Sequence, residues 1–340
     1  MSRSRPVFIL LSCALVALPG QVAARTLKIA TLSPDGTSWM RELRQGGKEI
    51  EERTQGRVKL KFYPGGVMGN DQTILRKIRI GQLQGGAFAA GGLVEVYNDM
   101  QVYSLPFLFQ SYDEVDYVRE RMDPLLRDGL EERGLVAVGL SEGGFAYLLS
   151  SHPLRTREDL NGRKVWIPQG DELSRIALET AGISPVPLPI SDVYTGLQTG
   201  LIDTIASSPI GAIAFQWHTR VRYFTDVPLM YLFGTLAFAK KAFDRLATAD
   251  RSIVKDVMGS IFERLDRANR RDNEAAKLAL ANQGIEFVTP TAEEMERWRS
   301  IAREAELRYE GRDLFSEEMY EILKGHLRDF RARATRAVAP

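Results

Sequence analysis

Cysteine is almost absent: the 340-residue chain has one, Cys13, near its N-terminus. If the segment carrying it is removed, no thiol remains, which excludes disulfides, cysteine-ligated metals and a cysteine nucleophile. Such a composition suits an oxidising compartment. Histidine is equally scarce, and His152, His218 and His326 lie too far apart in the sequence to form a spacing-defined metal motif. Charge of one sign is lacking, since 45 Lys and Arg nearly balance 44 Asp and Glu. That balance excludes a nucleic-acid footprint or an anionic membrane surface and leaves a small molecule or another protein as partner. There is no H-E-x-x-H or Walker loop, and Gly85-Gly86 with Gly91-Gly92 lacks the G-x-G-x-x-G order. An enzyme, a metal and a cofactor are therefore not expected. The residues also permit a hydrolase built from Ser207 or Ser208 with His218.

What is present begins with the N-terminus. Arg3 and Arg5 precede an apolar run from Val7 to Leu18, and Val22-Ala23-Ala24 supplies small residues, the order of a secretory signal cut after Ala24. Leu10-Leu11-Ser12-Cys13 also fits a lipidation box, but the segment after Cys13 stays apolar where a lipoprotein turns polar. A retained anchor is disfavoured because Pro19-Gly20 interrupts the run. No later window holds the roughly 18 consecutive apolar residues of a spanning helix. The expected product is a soluble periplasmic protein starting near Arg25.

The mature length, about 315 residues, favours two domains over one. With 44% hydrophobic residues the chain is ordinarily globular. Strands are expected at 26–30, 58–63, 134–140, 147–150, 164–167 and 185–188, with helices from Ser38 through Arg53, up to Gly81, and over 111–133, 171–182 and 191–199. Ser38 is the expected cap of the first helix. This alternation indicates an α/β fold with mostly parallel sheets. From 249 to 283, Ile253, Val257, Ile261, Leu265 and Ala268 mark one face of a long helix. Helices 291–309 and 316–333 follow, the first capped by Thr291 with Glu294 three residues on.

Five segments carry more specific information. Tyr63-Pro64-Gly65-Gly66-Val67-Met68-Gly69 resembles F-P-G-G-Q-L-G, and Tyr103-Ser104-Leu105-Pro106-Phe107-Leu108-Phe109 contains an L-P-F-L-F segment. Gly143-Gly144-Phe145-Ala146-Tyr147 parallels G-F-R, and Asp159-Leu160-Asn161-Gly162-Arg163-Lys164-Val165-Trp166-Ile167 parallels D-L-K-G-L-K-I-R-V. Leu197-Gln198-Thr199-Gly200-Leu201-Ile202-Asp203 is similar to L-Q-T-G-V-V-D. Together and in this order they resemble the extracytoplasmic solute-binding subunits of TRAP (tripartite ATP-independent periplasmic) transporters. The resemblance implies a two-lobed periplasmic binding protein fold with a ligand cleft at the hinge and a long helix spanning both lobes. It also implies TRAP membrane subunits as partners, with an ion gradient driving transport. One lobe is expected from 25–147 and about 236–270, the other from 148–235 with the C-terminal helices at about 271–333.

The departures from that frame are informative. Ala146 and Trp166 stand where the family usually places arginines that grip a ligand carboxylate, a bidentate geometry no other side chain reproduces. After Asp203, Thr204-Ile205-Ala206-Ser207-Ser208-Pro209 replaces G-Q-E-N-P and lacks its asparagine. An unpaired carboxylate in a closed cleft costs several kcal/mol, so a small dicarboxylate should be rejected. Phe145, Tyr147, Trp166, Tyr194, Phe215 and Trp217 supply apolar surface for a hydrophobic or amphipathic ligand, unless they merely pack the lobes. Gln169 and Arg175 follow Trp166, and Ser207 and Ser208 follow the last motif, as polar candidates. Arg41, Arg175 and Lys240 are candidates for a relocated cation, in competition with plain surface roles. Two alternatives stand beside the hydrophobic binder: an ordinary organic-acid binder with a relocated cation, and a periplasmic carrier or sensory partner, with an additional periplasmic protein, no longer coupled to transport.

Overall fold

The computed structural model describes residues 24–338, so the leader reading and Cys13 lie outside the described residues. The chain opens with β1 (Arg25–Thr31), α1 (Ser38–Arg53), β2 (Val58–Tyr63), α2 (Asp71–Arg79), β3 (Gly85–Ala89) and α3 (Tyr112–Glu132). It continues with β4 (Leu135–Ser150), β5 (Trp166–Pro168), α4 (Glu172–Thr180), β6 (Val186–Leu188), α5 (Val193–Thr199), β7 (Thr204–Ser207) and α6 (Pro209–Ala214). The rest is β8 (Tyr223–Ala239), α7 (Lys240–Phe243), α8 (Thr248–Asn282), β9 (Glu286–Val288), α9 (Ala292–Leu307) and α10 (Glu317–Val338). The cap of α1 is Thr37, whose hydroxyl accepts from the Met40 amide, one residue earlier than expected.

Two long strands make the two lobes one molecule. The sheet order is β2-β1-β3-β8-β4-β7, with β9 also on β8. In the first lobe the start of β4 pairs with the end of β8, Leu135 opposite Ala239. In the second the end of β4 pairs with the start of β8, Ser150 opposite Tyr223, and with β7. The β5-β6 pair joins this half through the Val165–Thr204 bridge. Because β4 runs antiparallel to β8 and β7, and β3 to β8, the sheet is mixed rather than mostly parallel. The strands expected at 134–140 and 147–150 are one strand, whose pairing shifts register around Ala137–Leu140, Glu142–Gly144 and Ala146–Leu148. Those irregularities fall where the lobes meet, as bulges that bend a strand do.

Helix α8, 35 residues and about 52 Å long at 1.5 Å per residue, runs along both lobes. Val254, Val257, Met258, Ile261 and Phe262 pack into the first-lobe core with Leu27, Ile29, Leu236 and Phe238, while Leu280 packs with Leu149, Ile205 and Phe224 of the second. Between these apolar ends a polar stripe at Asp266, Asn269, Arg270 and Asn273, all on one face by 3- and 4-residue spacing, meets β4. Trp298 of α9 packs with the second-lobe residues Leu148, Leu160 and Val165, whereas Leu323 and Leu327 of α10 pack with Val118 and Met122 of α3 in the first. The amphipathic stripe of α10 announces a buried face but not which lobe it covers.

Candidate ligand-binding site

A cleft of about 1480 Å³ lies between the lobes, at the carboxyl ends of β1, β3, β5 and β7. Open α/β sheets place ligands there because strand ends and helix starts leave backbone groups free. The first lobe contributes the turn after β1, the start of α2 and the segment after β3; the second contributes β5, Ser207, Ser208 and the α6 region. Ser141 to Gly143 of β4 and Met230 to Gly234 of β8 also line it, as does one side of α8.

Of the sequence candidates, Trp166, Gln169, Ser207, Ser208, Phe215 and Trp217 line this cleft. Trp166 is only 6% exposed, sits edge-on to Trp217 at 5.4 Å, and donates its Nε1–H to the Leu188 carbonyl at 3.0 Å. Phe215 stacks on Trp217 at 4.9 Å. The three rings form an aromatic wall, and because the Trp166 donor is engaged by β6, that residue offers a ligand ring surface rather than a hydrogen bond. Gln169 is exposed at its edge. Ser207 donates to the Ser208 carbonyl at 3.0 Å, and the Ser208 hydroxyl caps α6 by accepting from the Gly211 amide. His218 Nδ1 lies 3.1 Å from the Ala212 carbonyl, and neither serine hydroxyl has His218 as a hydrogen-bond partner.

The other candidates are placed elsewhere. Side chains alternate along β4, and the sequence reading took three consecutive residues as one surface. Phe145 turns into the first-lobe core, 4.9 Å from the Tyr112 ring and 5.8 Å from Tyr231. Tyr147 packs on Phe224 at 4.7 Å, with Lys277 Nζ 4.6 Å over its ring. Ala146 is fully covered; it stands opposite Met230, which lines the cleft, so it belongs to the cleft-facing side but behind that methionine. The Tyr194 hydroxyl accepts from Arg220 away from the cleft. Arg175 is clamped by Glu172 and Glu179 on its own helix, and Lys240 by Glu131 and Asp244. Arg41 alone of the three proposed cations lines the cleft, donating to the Gly36 carbonyl at 2.6 Å.

Several lining residues had no sequence signal. Asp71, the first residue of α2, has its carboxyl pushed up to about 7 by burial. Glu142 is buried and held by Arg270, and desolvation raises its carboxyl despite that partner. The Ser141 hydroxyl and the Trp298 indole nitrogen are buried without a hydrogen-bond partner. The Arg157 guanidinium donates to a backbone carbonyl, that of Ala181, at 2.6 Å. Asp71 lies in α2, Ser141 and Glu142 in β4, Arg157 before β5 and Trp298 in α9, and only the fold brings them to one cavity.

Comparison with known proteins agrees with this architecture. The family model described as bacterial extracellular solute-binding protein, family 7 (DctP) matches residues 29–311. The C4-dicarboxylate-binding periplasmic protein DctP of Rhodobacter capsulatus is 25% identical over 255 residues, covering 74% of this chain and 76% of that protein. A protein of Salmonella typhimurium called YiiZ is 26% identical over 252 residues, covering 71% and 75%. The crystal structure of the sugar acid binding protein DctPAm from Advenella mimigardefordensis, in complex with galactonate, superposes with a TM-score of 0.84 at 18% identity, over 91% of this chain and 99% of that one.

Proposed function

The chain belongs to the DctP family of bacterial extracellular solute-binding proteins, and on that premise we propose that its ligand is an amphipathic acid with a substantial apolar body. A solute-binding role in TRAP transport comes with the family. The apolar preference goes beyond the family, and one observation carries it: Trp166 stands in the cleft wall where the family frame has an arginine, with its side-chain donor engaged by Leu188. Trp217 and Phe215 extend that wall. Burying one aliphatic or aromatic group against such a surface contributes about 1.5–3 kcal/mol. The named relative binds a dicarboxylate and the superposed structure a sugar acid; a carboxylate on an apolar body keeps the acid function while using the wall. Delivery to TRAP membrane subunits in the periplasm, after removal of the leader near Ala24, completes the proposal.

A second reading, an ordinary organic-acid binder with a relocated cation, is favoured by Arg41 and Arg157, which both line the cleft. Thermal-shift titration with succinate and with octanoate separates the two. Octanoate should stabilise the protein more than succinate, and Trp166→Ala should weaken octanoate about tenfold or more. Strong stabilisation by succinate with none by octanoate would overturn the amphipathic reading in favour of the second.

A further inference from the structure

The cleft continues beyond the aromatic wall. Leu148 and Ala206 are partners in the β4–β7 ladder and share one face of the second-lobe sheet, whereas the neighbouring pair, Tyr147 and Ser207, shares the other. Ser207, Leu148 and Ala206 nevertheless line the same cavity. The cavity is therefore lined by residues from both faces near the carboxyl end of β7, the second of which is called the far face. There it is walled by Val165, Leu178, Leu229 and the α9 residues Trp298 and Ile301, all of them apolar surfaces.

One group in this branch is out of place in apolar surroundings. Trp298 is 6% exposed, lines the cavity, and has no partner for its Nε1–H. An indole nitrogen can only donate, and a buried donor left unmade is destabilising. Trp166, by contrast, is satisfied at the Leu188 carbonyl. A cation reaches the edge of the same apolar cluster. The Arg157 guanidinium bonds to the carbonyl of Ala181, which packs in one cluster with Trp298, and the Arg157 amide donates to Glu294, one helical turn before Trp298. Arg157 also lines the cavity.

We infer that this far-face branch holds the carboxylate of an aliphatic or aromatic monocarboxylic acid, which accepts from the Trp298 indole N–H beside the Arg157 guanidinium, while the apolar body runs back past Leu148 and Ala206 to Trp166. The inference rests on the amphipathic reading of the cleft and deepens it. It relocates the cation missing from β4 and β5 to the segment before β5, and it supplies an acceptor for the buried, unpartnered indole N–H of Trp298. Small dicarboxylates fit poorly, because their second charge would lie against the apolar stretch between the branch and the aromatic wall.

Calorimetric titration of the mature protein with octanoate and with 1-octanol, which has the same body without the charge, tests this. Trp298→Phe keeps the ring and removes the N–H, and Arg157→Gln removes the charge at a half-buried position. Each should weaken octanoate about tenfold, the scale of one charge-assisted hydrogen bond, and octanol, whose hydroxyl accepts only a neutral hydrogen bond, by distinctly less. Trp166→Ala should weaken both ligands. If Trp166→Ala weakens octanoate but Trp298→Phe and Arg157→Gln do not, the branch assignment is overturned and the amphipathic reading stands. Equal losses for octanoate and octanol in Trp298→Phe and Arg157→Gln would mean that the branch is packing only, which also overturns it. Tight succinate binding without octanoate binding overturns both.

Discussion

Arg270, on the helix that runs along both lobes, donates at 2.9 Å to the carboxylate of Glu142, a fully buried side chain in the strand that passes from one lobe to the other. Arg270 also reaches Asp116 of α3, and Tyr231 of β8 donates to the same Glu142 carboxylate at 3.1 Å. A second arginine, Arg119, bonds Asp266 of α8, the Tyr231 hydroxyl and the Leu140 carbonyl. The register shifts of β4 lie within this network, so the segment poorest in ladder hydrogen bonds is held by charged side chains instead.

Removing one partner of that pair leaves a buried charge uncompensated. Arg270→Met should therefore destabilise the protein by about 3 kcal/mol. Glu142→Gln, which removes the buried charge itself, should cost less. Urea midpoints of the two variants check the order, and a loss below about 1 kcal/mol for Arg270→Met would contradict the role given to the pair.

Asp71 should make stability fall as pH rises. Its carboxyl is held near 7 against an ordinary value of 3.8. Below pH 4 it is protonated in both folded and unfolded chains and contributes nothing. Between about 4 and 7 the unfolded chain releases the proton first, so unfolding becomes progressively more favourable, and the penalty persists above 7. Asp71→Asn should be more stable than wild type at pH 8, with the difference gone by pH 4. Its position at the start of α2 favours the anion and reduces the size of the effect. Parallel melting curves across that range test it; a difference that does not vary with pH would refute the assignment.

Much of the fold was legible because it is written in local patterns. The caps Ser111, Asp171 and Thr291 stand where helices were expected to begin, and α8 spans 248–282 against an expected 249–283. The long strand β8 was not foreseen as an element, since its two halves serve different lobes and its buried positions follow no single period. For the site, the motif frame led to Trp166 and the β7–α6 segment, which line the cleft near strand ends. It failed for Phe145 and Tyr147, where neighbours in sequence point to opposite faces. Trp298 was legible only as a core residue of an amphipathic helix, because its role depends on α9 packing against a strand about 130 residues earlier.

Arg175 supplies a negative prediction. It had been a candidate ligand cation, yet Glu172 and Glu179 on the same helix take its guanidinium. Exposed pairs of this kind contribute little, so Arg175→Ala should alter stability by no more than about 0.5 kcal/mol. Octanoate affinity should be unchanged. A loss of binding in this variant would return the residue to the site.

Gly144 lies in the crossing strand β4, where a side chain would be poorly accepted. Its φ is +83°, a left-handed conformation that costs other residues about 1 kcal/mol. A methyl group there would lie 2.6 Å from Asn273 Nδ2. That amide donates to the Gly143 carbonyl at 3.2 Å, while Asn273 Oδ1 accepts from the Ile210 amide at the start of α6. One asparagine thus joins α8 to both the crossing strand and the second lobe, and displacing it opens both contacts. Gly144→Ala should therefore destabilise by about 3 kcal/mol, the strain plus two lost hydrogen bonds. Asn273→Ala relieves the steric clash, so the double variant should be less destabilised than the sum of the two single changes. If the two losses simply add, the clash with Asn273 is not what makes glycine necessary at this position.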